Sequence, residues 1–274
     1  MKEPVQGIQT DICQIWGAGQ YYGQESAFPD AAMVIAADGG ADEAAAKGVV
    51  PDLVVGDFDS IAAAHRPTPT DPDQGDDVNA TPLDPPSSPS RQSSAATRYR
   101  RLPAEKDDTD MLAAVKLGWE AGCRIFQIYG GLGKRMDHTL ANLNLISMVA
   151  ASGGRACLYG DRMIVTAIGR GSLSFTPWHC GDRAMVSVLS ATDRSEGITE
   201  RGLKYQVEGM TMTNLEVTGV SNEFLPGTPA RIGLDRGIIY ITYPDTAPTP
   251  DWRTDMVPAP SLGIVGTNPS RWLA

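Results

Sequence analysis

Short apolar runs alternate with helical patterns in the first half of the chain, and this alternation narrows the possible folds more than any other feature. Each apolar run ends in a turn that is rich in glycine or aspartate. Such an alternation predicts a mainly parallel sheet with helices on its faces. Strands are predicted at residues 11–16, 33–37, 53–55 and 124–129, and helices at residues 41–47, 108–121 and 137–151.

The second half of the chain has strand-like runs without a long helical pattern between them. Short strands separated by regular turns predict an antiparallel β-sandwich. We therefore expect an α/β N-terminal domain with a mainly parallel sheet at residues 1–160, followed by a β-sandwich C-terminal domain at residues 161–245. The predicted sandwich strands are residues 163–168, 184–189, 230–234 and 238–243.

Two segments have the composition of chain outside both domains. Residues 62–103 are rich in Pro, Ser, Thr and Asp and poor in aliphatic residues, which predicts a disordered insertion within the first domain. Residues 246–274 form a Pro-rich C-terminal tail. Because the tail carries Trp252 and Trp272, it could dock on a surface that the sequence does not identify.

Charge and composition disfavour several partners. The net charge is -10, so a nucleic acid would be repelled over most of the surface. The four cysteines form no CxxC pair, which favours free thiols in a reducing compartment. The N-terminal residues lack the apolar core of a signal peptide, and no apolar run approaches the ~20 residues that span a bilayer. We expect a cytoplasmic protein that binds neither nucleic acid nor membrane.

The sequence VVGDFDS places two carboxylates directly after a predicted strand. Asp57 and Asp59 are two residues apart, and residues i and i+2 of an extended chain point the same way. Both carboxylates could therefore meet one hard cation at the carboxyl edge of the sheet, where open α/β sheets bind ligands. The alternative is an acidic turn in which Asp59 caps a helix.

A second acidic group, Lys106-Asp107-Asp108-Thr109-Asp110, opens a predicted helix. Acids at a helix start are favoured by the helix macrodipole whatever the function. A third carboxylate here would also complete a Mg²⁺ site that leaves room for water and phosphate oxygens. Lys106 could hold a phosphate as a point charge.

Three glycines follow the predicted strand at residues 124–129, in the sequence GGLGKRMDH. They allow a close approach of the backbone to phosphates, although the spacing is not that of a Walker loop. Arg135 could grip phosphate oxygens through its planar fork. Asp137 is either a functional carboxylate or the N-cap of the following helix.

Two shorter motifs each have a structural and a functional interpretation. Asp38-Gly39-Gly40 could bind phosphate or could tighten a turn between a strand and a helix. In GVSNE, at residues 219–223, Ser221 and Asn222 could hydrogen-bond a heterocycle or could form a polar turn.

Taken together and in order, five stretches resemble the thiamin pyrophosphokinase family: AADGGAD, PDLVVGDFDS, EKDDTD, GGLGKRMDHTLANL and GVSNE. The resemblance covers residues 11–243 except the insertion. It implies transfer of a pyrophosphoryl group from ATP to the hydroxyl of thiamin, with release of AMP and with Mg²⁺ as cofactor. It also implies a homodimer whose active site lies in a cleft between subunits.

The resemblance assigns roles to individual residues. Asp57, Asp59 and Asp110 match the Mg²⁺-binding acids, and Arg135 and Asp137 match a catalytic pair in which Asp137 could take the hydroxyl proton. Asp110 counts among the catalytic residues as well. One departure is Asp42, where the family commonly has Asn. The remaining matches are the nucleotide-facing Asp38, Gly39, Gly40, Lys106, Thr109 and Gly131, the thiamin-lining Ser221 and Asn222, and, as the aromatic cover of thiamin, Trp178, Phe224 or a tail tryptophan.

Other functions remain as alternatives. A related pyrophosphokinase could act on another alcohol, such as a pterin. A sensor of ATP or thiamin would bind without catalysis, but it need not keep every acidic ligand together with Arg135. A scaffold or interaction domain would leave the carboxylate clusters after strand ends unexplained.

Overall fold

The computed structural model describes residues 12–23, 31–62, 65–66, 96–181 and 184–267. The chain divides into two compact units. Within the described residues, unit 1 is drawn from Met1–Ala18, Glu25–Tyr129 and Ser261–Ala274. Unit 2 is drawn from Gly19–Gln24 and Gly130–Pro260.

Unit 1 contains a parallel sheet with the strand order β5-β1-β2-β3-β4. The two central strands, β1 and β2, are almost entirely buried, as expected for a sheet that is covered on both faces. The elements are β1 (Ile12–Trp16), β2 (Met33–Ala37), α1 (Gly40–Ala46), β3 (Leu53–Gly56), β4 (Arg98–Arg101), α2 (Asp110–Glu120) and β5 (Ile125–Tyr129).

Helix α2 packs closely on this sheet. The Trp119 ring stacks on Phe126 of β5 with ring centroids 6.2 Å apart. Gly118 permits the approach, because a Cβ atom there would lie 3.0 Å from the Sγ atom of Cys13 in β1. The helix therefore has a fixed position on the sheet, and so does its first residue, Asp110.

In its described residues, unit 2 contains one helix and two antiparallel sheets. The first sheet has the order β12-β9-β14-β7-β6, and the second has the order β11-β10-β13-β8-β15. Apolar side chains of both sheets form one core, as in a β-sandwich. The elements are α3 (Met136–Ala151), β6 (Arg155–Gly160), β7 (Met163–Ile168), β8 (Gly171–Phe175), β9 (Met185–Ser190), β10 (Ser195–Arg201), β11 (Val207–Met212), β12 (Asn222–Glu223), β13 (Ala230–Leu234), β14 (Ile239–Pro244) and β15 (Asp251–Thr254).

The predicted fold class is confirmed: a mainly parallel sheet with helices is followed by antiparallel sheets. Several strands were missed because their sequences lack a clear apolar alternation. Strand β10 reads SEGITER and strand β11 reads VEGMTM. The other strands that were not predicted are β4, β6, β8, β12 and β15.

The predicted insertion needs a correction at its C-terminal end. Residues 63–64 and 67–95 lie outside the described residues, but Arg98–Arg101 forms β4 and pairs in parallel with β3. Leu102 follows with 2% exposure. An edge strand gains its main-chain hydrogen bonds whatever its side chains are, so its charged sequence did not reveal it.

The predicted tail also contains ordered chain. Asp251–Thr254 forms β15 and pairs with β8 in unit 2, while described residues from Ser261 onward belong to unit 1. Trp272 lies outside the described residues. The domain boundary near Gly160 stays a prediction. The compact units divide instead after Tyr129, because α3 packs on β6 and β7 of unit 2.

All four cysteines are free thiols, as predicted. Burial raises the pKa of Cys157 to about 11, so this thiol stays protonated at neutral pH. Among the helices within the described residues, none is long and apolar enough to cross a bilayer.

The turn between β2 and α1 contains two glycines, Gly39 and Gly40, and only Gly40 is closely packed against other backbone atoms. A Cβ atom on Gly40 would lie 2.0 Å from the carbonyl oxygen of Trp16, whereas the nearest atom to a Cβ on Gly39 is the Ala18 Cβ at 3.3 Å. We expect Gly40→Ala to lower the free energy of unfolding by about 1–3 kcal/mol or more, and Gly39→Ala to cost less. Urea unfolding of both variants measures this difference. Equal effects of the two substitutions would show that packing against Trp16 does not require Gly40.

Candidate active site

Three carboxylates meet where two neighbouring parallel strands end. Asp38 follows β2, and Asp57 and Asp59 follow β3, its partner in the sheet. One carboxylate oxygen from each of the three lies within 4.8 Å of the others. We call Asp38, Asp57 and Asp59 the acidic cluster. It lies at the carboxyl edge of the unit 1 sheet, where open α/β sheets bind ligands.

The residue between the two aspartates after β3 explains why both carboxylates face one way. Phe58 has a positive φ of 65° and is 3% exposed. Its ring contacts Tyr99 of β4 edge to face, with ring centroids 6.1 Å apart. The buried Phe58 leaves Asp57 and Asp59 on the opposite side of the turn, where Asp57 Oδ1 accepts a hydrogen bond of 3.2 Å from the Asp59 N–H.

The charges in this region repel one another. Burial raises the pKa of Asp38, and the charges of Asp110 and Asp57 raise it further, whereas Ser60 and the Gly39 N–H lower it. Within the described part of the chain, Asp38 Oδ1 is buried and accepts no hydrogen bond. A buried carboxylate oxygen without a donor, beside two more carboxylates, is the arrangement that a bound cation stabilises.

Asp110 lies close enough to share in this repulsion. Burial raises its pKa and the charges of Asp57 and Asp59 act in the same direction, but Lys106 opposes them with its Nζ atom 3.0 Å from Asp110 Oδ1. The sequence placed Asp110 with Asp57 and Asp59 as a metal ligand. The structure brings Asp38 together with Asp57 and Asp59, and Asp110 lies beside them in an ion pair with Lys106. The metal-binding role of Asp110 stays a prediction.

The proximity of Asp38 to Asp57 and Asp59 is the part of this geometry that the sequence analysis did not predict. Its motif was assigned to nucleotide phosphates because of the glycines that follow it. The available signal was its position: Asp38 directly follows β2, just as Asp57 directly follows β3. Parallel neighbouring strands bring such residues to one edge.

The residues around the start of α2 have mixed roles. Thr109 is the N-cap, and its hydroxyl accepts a hydrogen bond of 3.1 Å from the Leu112 N–H. Lys106 Nζ also donates to the Pro103 carbonyl at 3.0 Å. Both residues were predicted to face the nucleotide. The cap and the ion pair fix where Asp110 begins the helix.

A buried ion pair ties the C-terminal chain to this helix start. Lys116 Nζ lies 2.7 Å from Asp108 Oδ2 and donates to the Ile264 carbonyl at 2.9 Å. The Gly266 N–H donates to the same carboxylate at 2.8 Å, and Val265 between them is 3% exposed. We call this set of contacts the tail latch. Within unit 1, the predicted tail therefore docks at the start of α2.

Asp42, which stands where the family commonly has Asn, makes two contacts within unit 1. Its carboxylate accepts a hydrogen bond of 2.8 Å from the Ala62 N–H, and its other oxygen lies 2.5 Å from Nδ1 of His65. Asp42 therefore fixes the chain that follows the acidic cluster.

The glycine-rich loop belongs to unit 2. The carbonyl of Gly131 accepts a hydrogen bond of 2.7 Å from the buried Asn142 of α3. Arg135 and Asp137 form an exposed ion pair, with side chains 70% and 62% accessible. The hydrogen bond from Arg135 lowers the pKa of Asp137. Asp137 is not the N-cap of α3, because that position belongs to Arg135.

The GVSNE motif ends in β12 in unit 2, and Ser221 and Asn222 differ sharply in exposure. Ser221 is exposed, with a positive φ of 60°. Asn222 is 6% exposed; its Oδ1 accepts from the N–H groups of Tyr205 and Glu223, and its Nδ2 donates to Glu200 and to the Tyr205 carbonyl. All four hydrogen-bonding positions of this amide are used internally, so Asn222 holds the turn rather than facing solvent.

The aromatic residues that were candidates for covering thiamin differ in their burial. Phe224 is 4% exposed and lies in the core of unit 2, where it contacts Phe175 and Trp178. Trp178 and Trp252 are partly buried against the same core. Of the three, Phe224 has the side chain that is fully packed within the core.

Removing one charge from the acidic cluster should stabilise the metal-free protein. In EDTA we expect Asp38→Asn to raise the Tm by about 2–4 °C, the shift that about 1 kcal/mol gives in a domain of this size. The gain should shrink as the pH falls from 7 toward the ordinary pKa of 3.8, because a raised carboxyl pKa costs stability only where the group is ionised.

At saturating Mg²⁺ the wild type should have a higher Tm than Asp38→Asn. Bound Mg²⁺ should stabilise the folded wild type more than the variant, which lacks one carboxylate. Differential scanning fluorimetry with EDTA or Mg²⁺ measures both effects, with the exposed Asp161→Asn as the control. Equal Mg²⁺ stabilisation of wild type and Asp38→Asn would exclude Asp38 from a cation site.

The tail latch predicts a large loss of stability from a single substitution. We expect Lys116→Met to cost about 3–5 kcal/mol, because it leaves the Asp108 carboxylate buried without its partner. The control is Lys204→Met, which breaks the exposed Lys204–Glu223 pair and should cost below about 1 kcal/mol. Urea unfolding gives both values, and similar costs for the two variants would show that the buried Asp108 carboxylate does not depend on Lys116 as its partner.

Comparisons with known proteins agree with these observations. The family model for the thiamin pyrophosphokinase catalytic domain matches residues 25–158, and the model for the vitamin B1 binding domain of thiamin pyrophosphokinase matches residues 179–239. Together the two models cover well over half of the 274 residues. No curated protein sequence matches the chain significantly.

Solved structures resemble the chain at low sequence identity. The thiamine pyrophosphokinase of Bacillus subtilis is 18% identical with a TM-score of 0.65, over 85% of this chain and 98% of that one. The thiamin pyrophosphokinase of Candida albicans is 14% identical with a TM-score of 0.63, over 86% and 91%. A thiamin pyrophosphokinase family protein from Enterococcus faecalis is 20% identical with a TM-score of 0.61, over 85% and 98%.

At these identities the structures establish the fold. The two family models add the order of the domains, since the catalytic match falls on the acidic cluster and the second match falls on the antiparallel strands. The chain therefore belongs to the thiamin pyrophosphokinase family.

Proposed function

We propose that the protein is a thiamin pyrophosphokinase, which transfers a pyrophosphoryl group from ATP to the hydroxyl of thiamin and yields thiamin diphosphate and AMP. The observation that carries the proposal is the acidic cluster at the carboxyl edge of the parallel sheet, within the match to the catalytic domain. The match to the vitamin B1 binding domain favours thiamin over another alcohol such as a pterin.

The acidic cluster fits a hard divalent cation. Its donors are carboxylate oxygens, and Asp38 Oδ1 has no hydrogen-bond donor within the described residues. We assign Asp38, Asp57 and Asp59 as the residues that would hold Mg²⁺, with Asp110 beside them. Bound there, Mg²⁺ supplies charge neutralisation to the phosphate oxygens of ATP.

Basic side chains would contribute the remaining charge stabilisation. Lys106 borders the acidic residues through its ion pair with Asp110, so a phosphate oxygen near the cluster would meet the ammonium as well. Arg135 presents an exposed guanidinium with two N–H groups directed at Asp137. A phosphate could replace that carboxylate as the partner of the fork.

The transfer needs positioning and one proton acceptor. The hydroxyl oxygen of thiamin forms a bond to the β-phosphorus as the bond from the β-phosphorus to the bridging oxygen breaks, and AMP leaves with that oxygen. Asp137 is proposed to take the hydroxyl proton. Its pKa is lowered by Arg135, so it is ionised and ready to accept a proton at neutral pH.

On the thiamin side, the two residues of the GVSNE motif receive different roles. Ser221 is proposed to line the thiamin site, because its side chain is exposed at the end of the turn. Asn222 is proposed to support that turn through its internal hydrogen bonds. Gly39, Gly40, Thr109 and Gly131 remain proposed as backbone contacts to the nucleotide. The homodimer and the cytoplasmic location stay predictions.

The decisive assay measures AMP release from ATP and Mg²⁺ with and without thiamin. We expect release that depends on thiamin and a product that is thiamin diphosphate. Release with a pterin in place of thiamin would indicate the related pyrophosphokinase. Binding of ATP and thiamin without any release would indicate a sensor.

Loss of the paired carboxylates should abolish turnover without unfolding the protein. We expect Asp57→Asn combined with Asp59→Asn to lower the rate by about a thousandfold or more, since the charge stabilisation that a metal supplies is worth several kcal/mol. The exposed Asp161→Asn should keep the wild-type rate. Steady-state assays at limiting Mg²⁺ measure the effect, and near-normal turnover of the double variant would refute the metal assignment.

A further inference from the structure

Four arginines line a cleft of about 580 Å³ on the second sheet of unit 2. They are Arg170, Arg231, Arg236 and Arg253, and Ser172 of β8 lies among them. We call this feature the arginine cleft. Neither the proposed catalytic residues nor the proposed thiamin-lining residues belong to it.

Strand register explains why these side chains share one face. Ser172 pairs with Gly233 of β13 on one side and with Arg253 of β15 on the other. Leu173, the next residue, lies in the sandwich core, so Ser172 and Arg253 must lie on the outer face. Gly233 keeps the centre open because it has no side chain, and a Cβ atom there would lie 3.1 Å from that of Ser172.

The positive charge of the arginine cleft is only partly neutralised. Arg253 Nε lies 3.2 Å from Asp251, and Arg236 reaches Glu196 only at 3.9 Å. Within the described parts of the chain, Arg170 and Arg231 have no ion-pair partner. Two carboxylates also line the cleft, Asp235 and Asp255, so its lining residues carry two more positive than negative charges, an excess that Asp251 and Glu196 outside the lining partly offset.

A buried hydroxyl at the floor points to a ligand independently of the charges. Ser172 is 2% exposed, and its Oγ atom has no hydrogen-bond partner among the described residues. Buried polar groups are nearly always hydrogen-bonded in folded proteins. An oxygen of a bound ligand could accept the hydrogen bond that this hydroxyl can donate.

We propose that the arginine cleft binds the phosphate or pyrophosphate group of a small molecule. Guanidinium groups bind phosphate oxygens through two parallel hydrogen bonds, and Ser172 supplies a further donor at the floor. The volume lies within the range of about 300–1,000 Å³ that is usual for small-molecule sites. Asp235 and Asp255 favour a ligand that also carries a hydroxyl or a positive charge.

This site differs chemically from the acidic cluster, and that difference makes it testable. Phosphate groups need a divalent cation to approach three carboxylates, whereas they bind guanidinium groups directly. Because Arg135 is also proposed to bind phosphate, the full-length Arg135→Ala variant is titrated with pyrophosphate in EDTA, by isothermal titration calorimetry, so that the binding reports on the arginine cleft. We expect saturable binding that weakens as salt is added.

The variants test which residues carry this binding. We expect Arg170→Ala and Arg231→Ala each to weaken pyrophosphate binding about tenfold, as the loss of a charge-assisted hydrogen bond does. Ser172→Ala should weaken it severalfold. The exposed Arg162→Ala is the matched control, and Asp57→Asn combined with Asp59→Asn should leave binding in EDTA unchanged. Circular dichroism establishes that each variant is folded.

Separate titrations with inorganic phosphate, AMP and thiamin diphosphate identify the source of the phosphate group, and tighter binding of any one of them than of chloride supports the proposal. Absence of saturable binding in EDTA would overturn it, as would equal binding by wild type and Arg231→Ala. Sedimentation equilibrium compares the oligomeric state of the wild type and of Arg231→Glu. A difference between them would also overturn the proposal, because this face would then be a contact between copies of the chain.

Discussion

Repulsion between carboxylates at the carboxyl edge of the parallel sheet is the constraint around which unit 1 is organised. Asp38 is buried at the end of β2, and Asp57 and Asp59 follow the neighbouring β3. Like charges this close lower stability unless a cation neutralises them. The surrounding contacts hold the carboxylates together against that repulsion: Phe58 anchors one turn, Gly40 allows the other, and Lys106 partly compensates Asp110.

The tail latch extends this organisation to the end of the described chain. Asp108 lies two residues before Asp110, and its carboxylate is held by Lys116 and by the backbone at Gly266. The Lys116–Asp108 pair and the backbone near Gly266 together fix the start of α2, although Gly266 is more than 140 residues away in sequence. Such a contact costs desolvation of both charges, so its effect is on position rather than on net stability when both partners are present. Unit 2 has the opposite chemistry, with guanidinium groups at Arg135 and in the arginine cleft.

The sequence predicted what depends on local pattern. The alternation of apolar runs and helices gave the parallel sheet, and the two-residue spacing of Asp57 and Asp59 predicted that their carboxylates meet. The proximity of Asp38 to these two residues was not predicted, because strand order, which brings β2 beside β3, is not a local property. The family resemblance implies that Asn222 lines the thiamin site, but the sequence does not predict its burial, which depends on hydrogen bonds with Tyr205 and Glu200, distant in sequence. Strands β4 and β15 were missed because edge strands pair through the backbone.

Asp38, Asp57 and Asp59 are proposed to hold one divalent cation together. Titration with Mn²⁺, followed by electron paramagnetic resonance of the free ion, tests it most directly because the measurement needs no substrate and no turnover. We expect one tight Mn²⁺ per chain in the wild type, competed by Mg²⁺, and loss of that site in Asp57→Asn combined with Asp59→Asn. The same number and affinity of bound Mn²⁺ in the wild type and in that double variant would contradict it.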